Sequence, residues 1–191
     1  MSGFTAVGVF LISIIFSLFI FSLWTRIALR YLRVSTLNPF NRLIQSITNP
    51  FIEPFIRLFK LKYKPGQKYD WVAFIFLIAV ECLKIICLSL LVLHGLMPFV
   101  YLLIYVLADL IVQPCNLIFY AILIRVIMSY VNPRWENPIA DFIYLLTRPF
   151  LGWGRKIVPN ISGFDFSPFI IMIILQVITL FINASLPWRL L

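Results

Sequence analysis

Charged side chains are scarce in this chain: they form 12% of its 191 residues, and only seven are acidic. Soluble domains carry about 25% charged and roughly 45–50% apolar residues, whereas 62% of this chain is apolar. A fold of this length has too little interior to hide so much apolar side chain from water. That excludes a water-soluble domain, and the same composition excludes intrinsic disorder. Cysteine is nearly missing too. Cys82, Cys87 and Cys115 lie inside apolar runs without C-x-x-C spacing, so a disulfide framework is excluded and buried packing is expected. Histidine occurs once, as His94, which cannot supply two axial haem ligands or a convergent metal site. What is left is an integral membrane protein, with a mean hydropathy of +1.01.

Four apolar stretches are long enough to cross a bilayer, which takes about 20 helical residues. They are Phe4 to Trp24, Trp71 to Leu93, Leu96 to Val131 and Phe166 to Leu186. The third exceeds the hydrocarbon core by about 20 Å at 1.5 Å per residue. It contains Gln113-Pro114-Cys115-Asn116, so a kink near Pro114 is expected there, or a short interfacial or re-entrant piece before a crossing from about Cys115. The first stretch lacks a basic leader and a small-residue cleavage site, and it reads as a retained transmembrane helix rather than a signal peptide.

The formal charge of +9 reports topology and contact with anionic lipid more than nucleic-acid binding, and no direct nucleic-acid partner is expected. Nine basic residues fall between Arg26 and Lys68, and Arg134, Arg148, Arg155 and Lys156 come after the third stretch, with Arg125 just inside its end. The turn between the second and third stretches holds only His94. The positive-inside rule therefore places both long loops in the cytoplasm, with both termini outside. Arg189 is a mild counter-signal. In this arrangement Ser129 and Ser167 have no histidine on their side of the membrane to activate them, and no catalytic residue is assigned.

The chain also matches itself. At an offset of 99, Arg26 meets Arg125, Tyr31 meets Tyr130, Asn38-Pro39 meets Asn137-Pro138, Thr48 meets Thr147 and Pro50-Phe51 meets Pro149-Phe150. At an offset of 95, Asp70 meets Asp165 and Glu81 meets Gln176. The reading is an all-α protein of two repeats, residues 1–95 and 96–191, each a helix, a Pro-bounded segment in a basic loop, and a second helix. Two crossings per copy make the repeats parallel rather than inverted.

Within each Pro-bounded segment apolar residues recur with helical spacing. Phe40, Leu43, Ile44 and Ile47 form one face, matched by Ile139, Phe142, Ile143 and Leu146, while Asn41, Arg42, Gln45 and Ser46 lie opposite in the first copy. Such a stripe suits an amphipathic helix lying in the interface or shallowly re-entrant, with arginines towards phosphates. Pro39 and Pro138 suit the first turn, and Pro50 and Pro149 are expected to stop or kink the chain beyond them.

The two Asn-Pro…Thr-x-Pro-Phe units, the second continuing into Arg155-Lys156…Pro159…Gly163-Phe164-Asp165-Phe166-Ser167-Pro168, resemble the YggT family of bacterial and plastid membrane proteins, also called YlmG. The resemblance covers nearly the whole chain. Trp153 departs from it, standing where a second proline is common, and the first loop retains only Asp70 of the later pattern. The resemblance implies links to cell-division and envelope genes, to osmotic tolerance and, in plastids, to cytochrome assembly and nucleoid partitioning. It implies no enzymatic activity and no cofactor.

Glu81, Lys84 and Asp109 are the only charges well inside the stretches. An unpaired charge there costs a few kcal/mol on insertion scales, so pairing among the three is expected. Ser167 is expected to cap the fourth helix, with Pro168 in its first turn and Asp165 at its positive dipole end, and Asp70 does the same for the second. These positions, with Arg26, Arg125, Asn38 and Asn137, are where substitutions are expected to do most harm. The functional expectation is a non-enzymatic scaffold or assembly factor that contacts anionic lipid and an unidentified protein partner. The alternative is a small channel or transporter, formed as a homo-oligomer around Glu81, Lys84 and Asp109.

Overall fold

The computed structural model describes residues 3–60, 69–131, 137–158 and 165–187, and among these the chain is helical without strands. Six helices come in order: α1 (Gly3–Tyr31), α2 (Pro39–Phe59), α3 (Trp71–Val92), α4 (Phe99–Val131), α5 (Pro138–Ile157) and α6 (Ser167–Ser185). Helices α1, α3, α4 and α6 are long and apolar enough to cross a membrane. Lys62, Lys64, Lys68, Arg134 and Arg189, used in the charge count, lie outside the described residues, as does Pro159.

Helix α1 runs past the apolar stretch through Arg26 and Arg30. It ends where Arg33 turns left-handed, with φ at 54°, and the Val34 N–H donates back to the Leu29 carbonyl at 3.0 Å. Such a closing bond satisfies a carbonyl the helix would otherwise orphan. Asn38 then opens α2, its side-chain oxygen accepting from the Phe40 N–H at 2.9 Å, and Asn137 opens α5 by accepting from Ile139 at 3.2 Å. Pro39 and Pro138 occupy the first turns, where the missing N–H has no helical partner to lose.

Of the two outcomes expected at Pro50 and Pro149, a stop does not occur; α2 passes through Pro50 and Pro54, and α5 through Pro149. A proline leaves the carbonyl four residues earlier unpaired. Here those carbonyls belong to Ser46 and Leu145, both on exposed turns, where other donors can reach them. Burial on the opposite side, at Ile44, Thr48 and Ile52 or at Ile143, Thr147 and Leu151, continues across each proline. Helix α4 likewise runs unbroken for 33 residues through Pro114, about 50 Å. No separate interfacial piece precedes a crossing at Cys115.

Helices α1 and α3 pair along their lengths with α2 against both, and α4 and α6 pair with α5 against both. The two triplets meet through α3–α4, α1–α4 and α2–α5. Residues matched by the sequence offsets serve the same core positions: Leu23, Ile52 and Val80 in the first triplet, Ile122, Leu151 and Leu175 in the second. A third cluster joins the triplets, in which Leu29 and Ile44 pack with Leu117, Ile143 and Leu146. The Phe40 and Phe142 rings approach to 5.4 Å there.

The apolar faces of α2 and α5 are not equivalent. Ile44 is buried and Phe40 half-buried, while Leu43 and Ile47 are exposed at 54% and 45%. Their counterparts Phe142 and Leu146 are buried at 4% and 9%, with Ile143 beside them, and Ile139 is exposed. The single face read from the sequence therefore divides. One side of α2 packs on its neighbours and the other is left outward, whereas α5 turns its larger residues into the junction between triplets. Asn41, expected on the polar side, is buried and donates to the Val34 and Ser35 carbonyls. The three cysteines are free and half-buried.

Candidate functional site: arginine clamps and a charge cluster

The segments expected to matter most converge at the end of the bundle that carries α2 and α5. In the first triplet, Arg26 is buried, and its Nη1 donates to Thr48 Oγ1 at 2.7 Å and to Asn49 Oδ1 at 2.6 Å. Its Nε donates to Asp70 Oδ2 at 3.3 Å, which also takes Arg30 Nη1 at 3.0 Å. Asp70 further accepts from the Ala73 N–H as the cap of α3. One guanidinium thus ties α1 to α2 and to the start of α3.

The second triplet repeats only part of this. Arg125 Nη1 donates to Thr147 Oγ1 at 2.7 Å, and the guanidinium lies 4.6 Å from the centre of the Tyr144 ring. Asp165, the counterpart of Asp70, binds Arg155 instead, at 2.8 Å from Nη2 and 2.9 Å from Nε. Its other oxygen accepts from the Ser167 N–H. Burial alone would raise the Asp165 carboxyl, but the Ser167 N–H and the Arg155 guanidinium outweigh it, and the group is held below the usual carboxylate range. Ser167 does not cap α6. Its hydroxyl is buried without a hydrogen-bond partner among the described residues, and Asp165 supplies the acceptor for the first turn instead.

Each clamp borders a cavity at the corresponding place. That of the first triplet, about 290 Å³, is lined by Tyr31, Asp70 and Phe74 with Trp24, Trp71 and other aromatic or apolar side chains. That of the second, about 370 Å³, is lined by the counterparts Tyr130, Asp165 and Phe169 together with Arg125, Arg155, Ser129 and Tyr144.

The intramembrane charges also meet. Lys84 of α3 donates to Asp109 of α4, Glu81 lies 3.8 Å from Lys84, and Gln113 donates to the second Asp109 oxygen at 3.1 Å. All three ionisable groups are almost wholly buried, and neither Glu81 oxygen has a hydrogen-bond partner among the described residues. The cluster lies on the junction between triplets; Gln176, the counterpart of Glu81, is exposed on α6.

Of the sequence-predicted residues, the structure brings together Arg26 with Asp70, Arg155 with Asp165, and Glu81 with Lys84 and Asp109. Asn38, Asn137, Pro39 and Pro138 shape helix starts and do not join the clamps. Thr48, Thr147, Asn49, Arg30, Tyr144 and Gln113 were missed as site residues. Thr48 and Thr147 were already visible as a matched pair; nothing in the sequence pointed to their arginine partners.

Four membrane-length helices whose interior ionisable residues gather in one cluster define the class, a helical membrane protein. The chain belongs to the CCB3/YggT family, whose model matches residues 5–91 and again 98–186. It is 32% identical to a protein from the proC 3′ region of Vibrio alginolyticus, over 87% of this chain and 88% of that one. It is 26% identical to a Pseudomonas aeruginosa protein, over 97% and 93%, and 28% identical to YggT of Escherichia coli, over 90% and 86%. No solved structure matches the chain.

Proposed function

We propose that this protein is a non-enzymatic scaffold or assembly factor of the bacterial inner membrane. It is built as two copies of one unit, residues 1–95 and 96–191, inserted in parallel with α2 and α5 on the cytoplasmic side. The distribution of charge carries this reading. Inside the spans Glu81, Lys84 and Asp109 are gathered around one another, while Arg33, Arg42, Arg57, Lys60, Arg148, Arg155 and Lys156 are exposed around α2 and α5. A face of that composition attracts anionic lipid and offers a docking surface to a protein partner of envelope, division or redox-complex assembly. The exposed row Leu43, Ile47 and Phe51 on α2 lies beside Arg42, the arrangement of a helix seated at the acyl boundary.

One observation favours a second reading, a small oligomeric channel or transporter concerned with osmotic balance. The Glu81 carboxyl group is buried in mid-span with no hydrogen bond among the described residues, and such residues often mark ion paths. Photocrosslinkers at Arg42 and Arg148 in native membranes, run beside ion flux in reconstituted liposomes, separate the two. The scaffold reading expects a specific protein adduct and flux no greater than in empty liposomes. Flux abolished by Glu81→Gln, without any adduct, contradicts it.

A further inference from the structure

The two clamps differ in how completely their arginine is satisfied. In the first triplet Arg26 has three side-chain partners, and the cavity beside it is lined almost wholly by aromatic and apolar groups. In the second, the Asn49 position is Arg148, the Arg30 position is Ser129, and Asp165 has turned to Arg155. Arg125 keeps one hydrogen bond, from Nη1 to Thr147, so its Nε and Nη2 have no partner among the described residues. The Tyr144 ring stacked at 4.6 Å holds the guanidinium in place. Arg125 lines the 370 Å³ cavity together with Arg155 and Ser129.

A planar fork of free N–H donors is suited to two oxygens of a carboxylate or phosphate. The charge of the lining selects further. Arg125 and Arg155 against Asp165 leave one positive charge, matching the single negative charge of a phosphodiester. Depth agrees with this. Glu81 is at the midpoint of the 22-residue α3, and its neighbour Lys84 binds Asp109, so Asp109 lies near the bilayer centre. Arg125 comes sixteen residues further along α4, about 24 Å of helix rise, which is the headgroup level of a bilayer whose hydrocarbon half is about 15 Å. Exposed Phe169 and Ile173 lead from the cavity down α6, a path for acyl chains.

We propose that the cavity between α4, α5 and α6 is a binding site for the phosphodiester headgroup of an anionic phospholipid, held by Arg125 with Arg155 and Ser129. The counterpart cavity of the first triplet is lined by no arginine, since Arg26 is turned to Thr48, Asn49 and Asp70, and it takes no headgroup. The site rests on the lipid contact and orientation proposed above but needs no protein partner.

Native mass spectrometry of the full chain in detergent tests this, with phosphatidylglycerol, phosphatidylcholine and inorganic phosphate as separate probes. One phosphatidylglycerol per chain is expected, bound about tenfold or more tightly than phosphatidylcholine. Ser129→Glu places a carboxylate beside Arg125 at an exposed position that the fold does not depend on, and it should weaken this binding about tenfold, as should Arg125→Gln. Arg57→Gln, an exposed change on α2, should leave it unaltered. Equal weakening by Arg57→Gln, or none by Ser129→Glu, overturns the site while leaving a general basic lipid-contact face. Absence of any preference for phosphatidylglycerol overturns both. Retention of inorganic phosphate without phosphatidylglycerol overturns the lipid assignment.

Discussion

Lys84 is a single ammonium between two carboxylates, and its shorter contact is to Asp109 on the neighbouring helix rather than to Glu81 on its own. Both contacts were open to sequence reasoning, an i,i+3 pair within one helix and a pair across to Asp109, but which is shorter depends on how α3 and α4 pack. The consequence is an asymmetry between substitutions. Lys84→Met leaves two buried carboxylates without a cation and should cost about 3–5 kcal/mol, as breaking a buried pair does. Glu81→Gln leaves the Lys84–Asp109 pair intact and should cost less than about 1 kcal/mol. Unfolding in detergent measures both, and equal losses would contradict the assignment of Glu81 as the surplus charge. Asp165 titrates at the other end of the molecule. Its carboxyl is held low by Ser167 and Arg155 against the effect of burial, so the ionised form stabilises the α5–α6 junction. That contribution is full above the ordinary carboxylate value of about 3.9 and fades as pH falls through the lower native value. Hydrogen exchange in the first turn of α6 should show protection down to about pH 4 and loss below it. Asp165→Asn should be poorly protected already at neutral pH, and full protection in that variant would contradict the role.

Helices α1, α3, α4 and α6 were legible because long apolar runs leave few alternatives, and α2 and α5 because their apolar residues recur with helical spacing. What could not be read was the side on which α2 and α5 are buried, since that depends on where α1 and α4 pass. Leu43 and Ile47 look interchangeable with Phe142 and Leu146 in the sequence, yet the first pair is exposed and the second is core. Leu43→Ser with Ile47→Ser should therefore leave unfolding unchanged and move spin labels on α2 from acyl-boundary depth into water. Phe142→Ser with Leu146→Ser should instead destabilise the fold, by about 2–5 kcal/mol per residue. Identical behaviour of the two pairs would contradict the division of the apolar faces. Gly154 was also invisible. A Cβ there would stand 2.8 Å from Ser167 Cβ and 3.0 Å from the Ser167 carbonyl oxygen, so α5 and α6 approach closely only because this residue is glycine. Gly154→Ala gains roughly 0.5–1 kcal/mol of helix preference but forces the helices apart, at about 1–3 kcal/mol. A net fall in thermal stability is expected, and a rise would show that the junction yields.

At the scale of the whole molecule, the matched positions Arg26 and Arg125, Thr48 and Thr147, Leu23 and Ile122, and Ile52 and Leu151 place the same contacts at the same end of each triplet. By the positive-inside rule, the basic residues of the two loops lead to the expectation that α2 and α5 lie on the same side. Departures from this likeness fall where the triplets touch or where surroundings differ: the Glu81–Lys84–Asp109 cluster occupies their junction, and the open clamp at Arg125 has no equivalent at Arg26. Both basic segments facing the cytoplasm is the claim on which the scaffold face, the seat of α2 and the headgroup site all depend. Topology reporters fused after Gly95 and after Arg155 test it most directly. The account predicts an outside signal at Gly95 and a cytoplasmic signal at Arg155. A cytoplasmic signal at Gly95 would contradict both the orientation and the parallel insertion of the two halves.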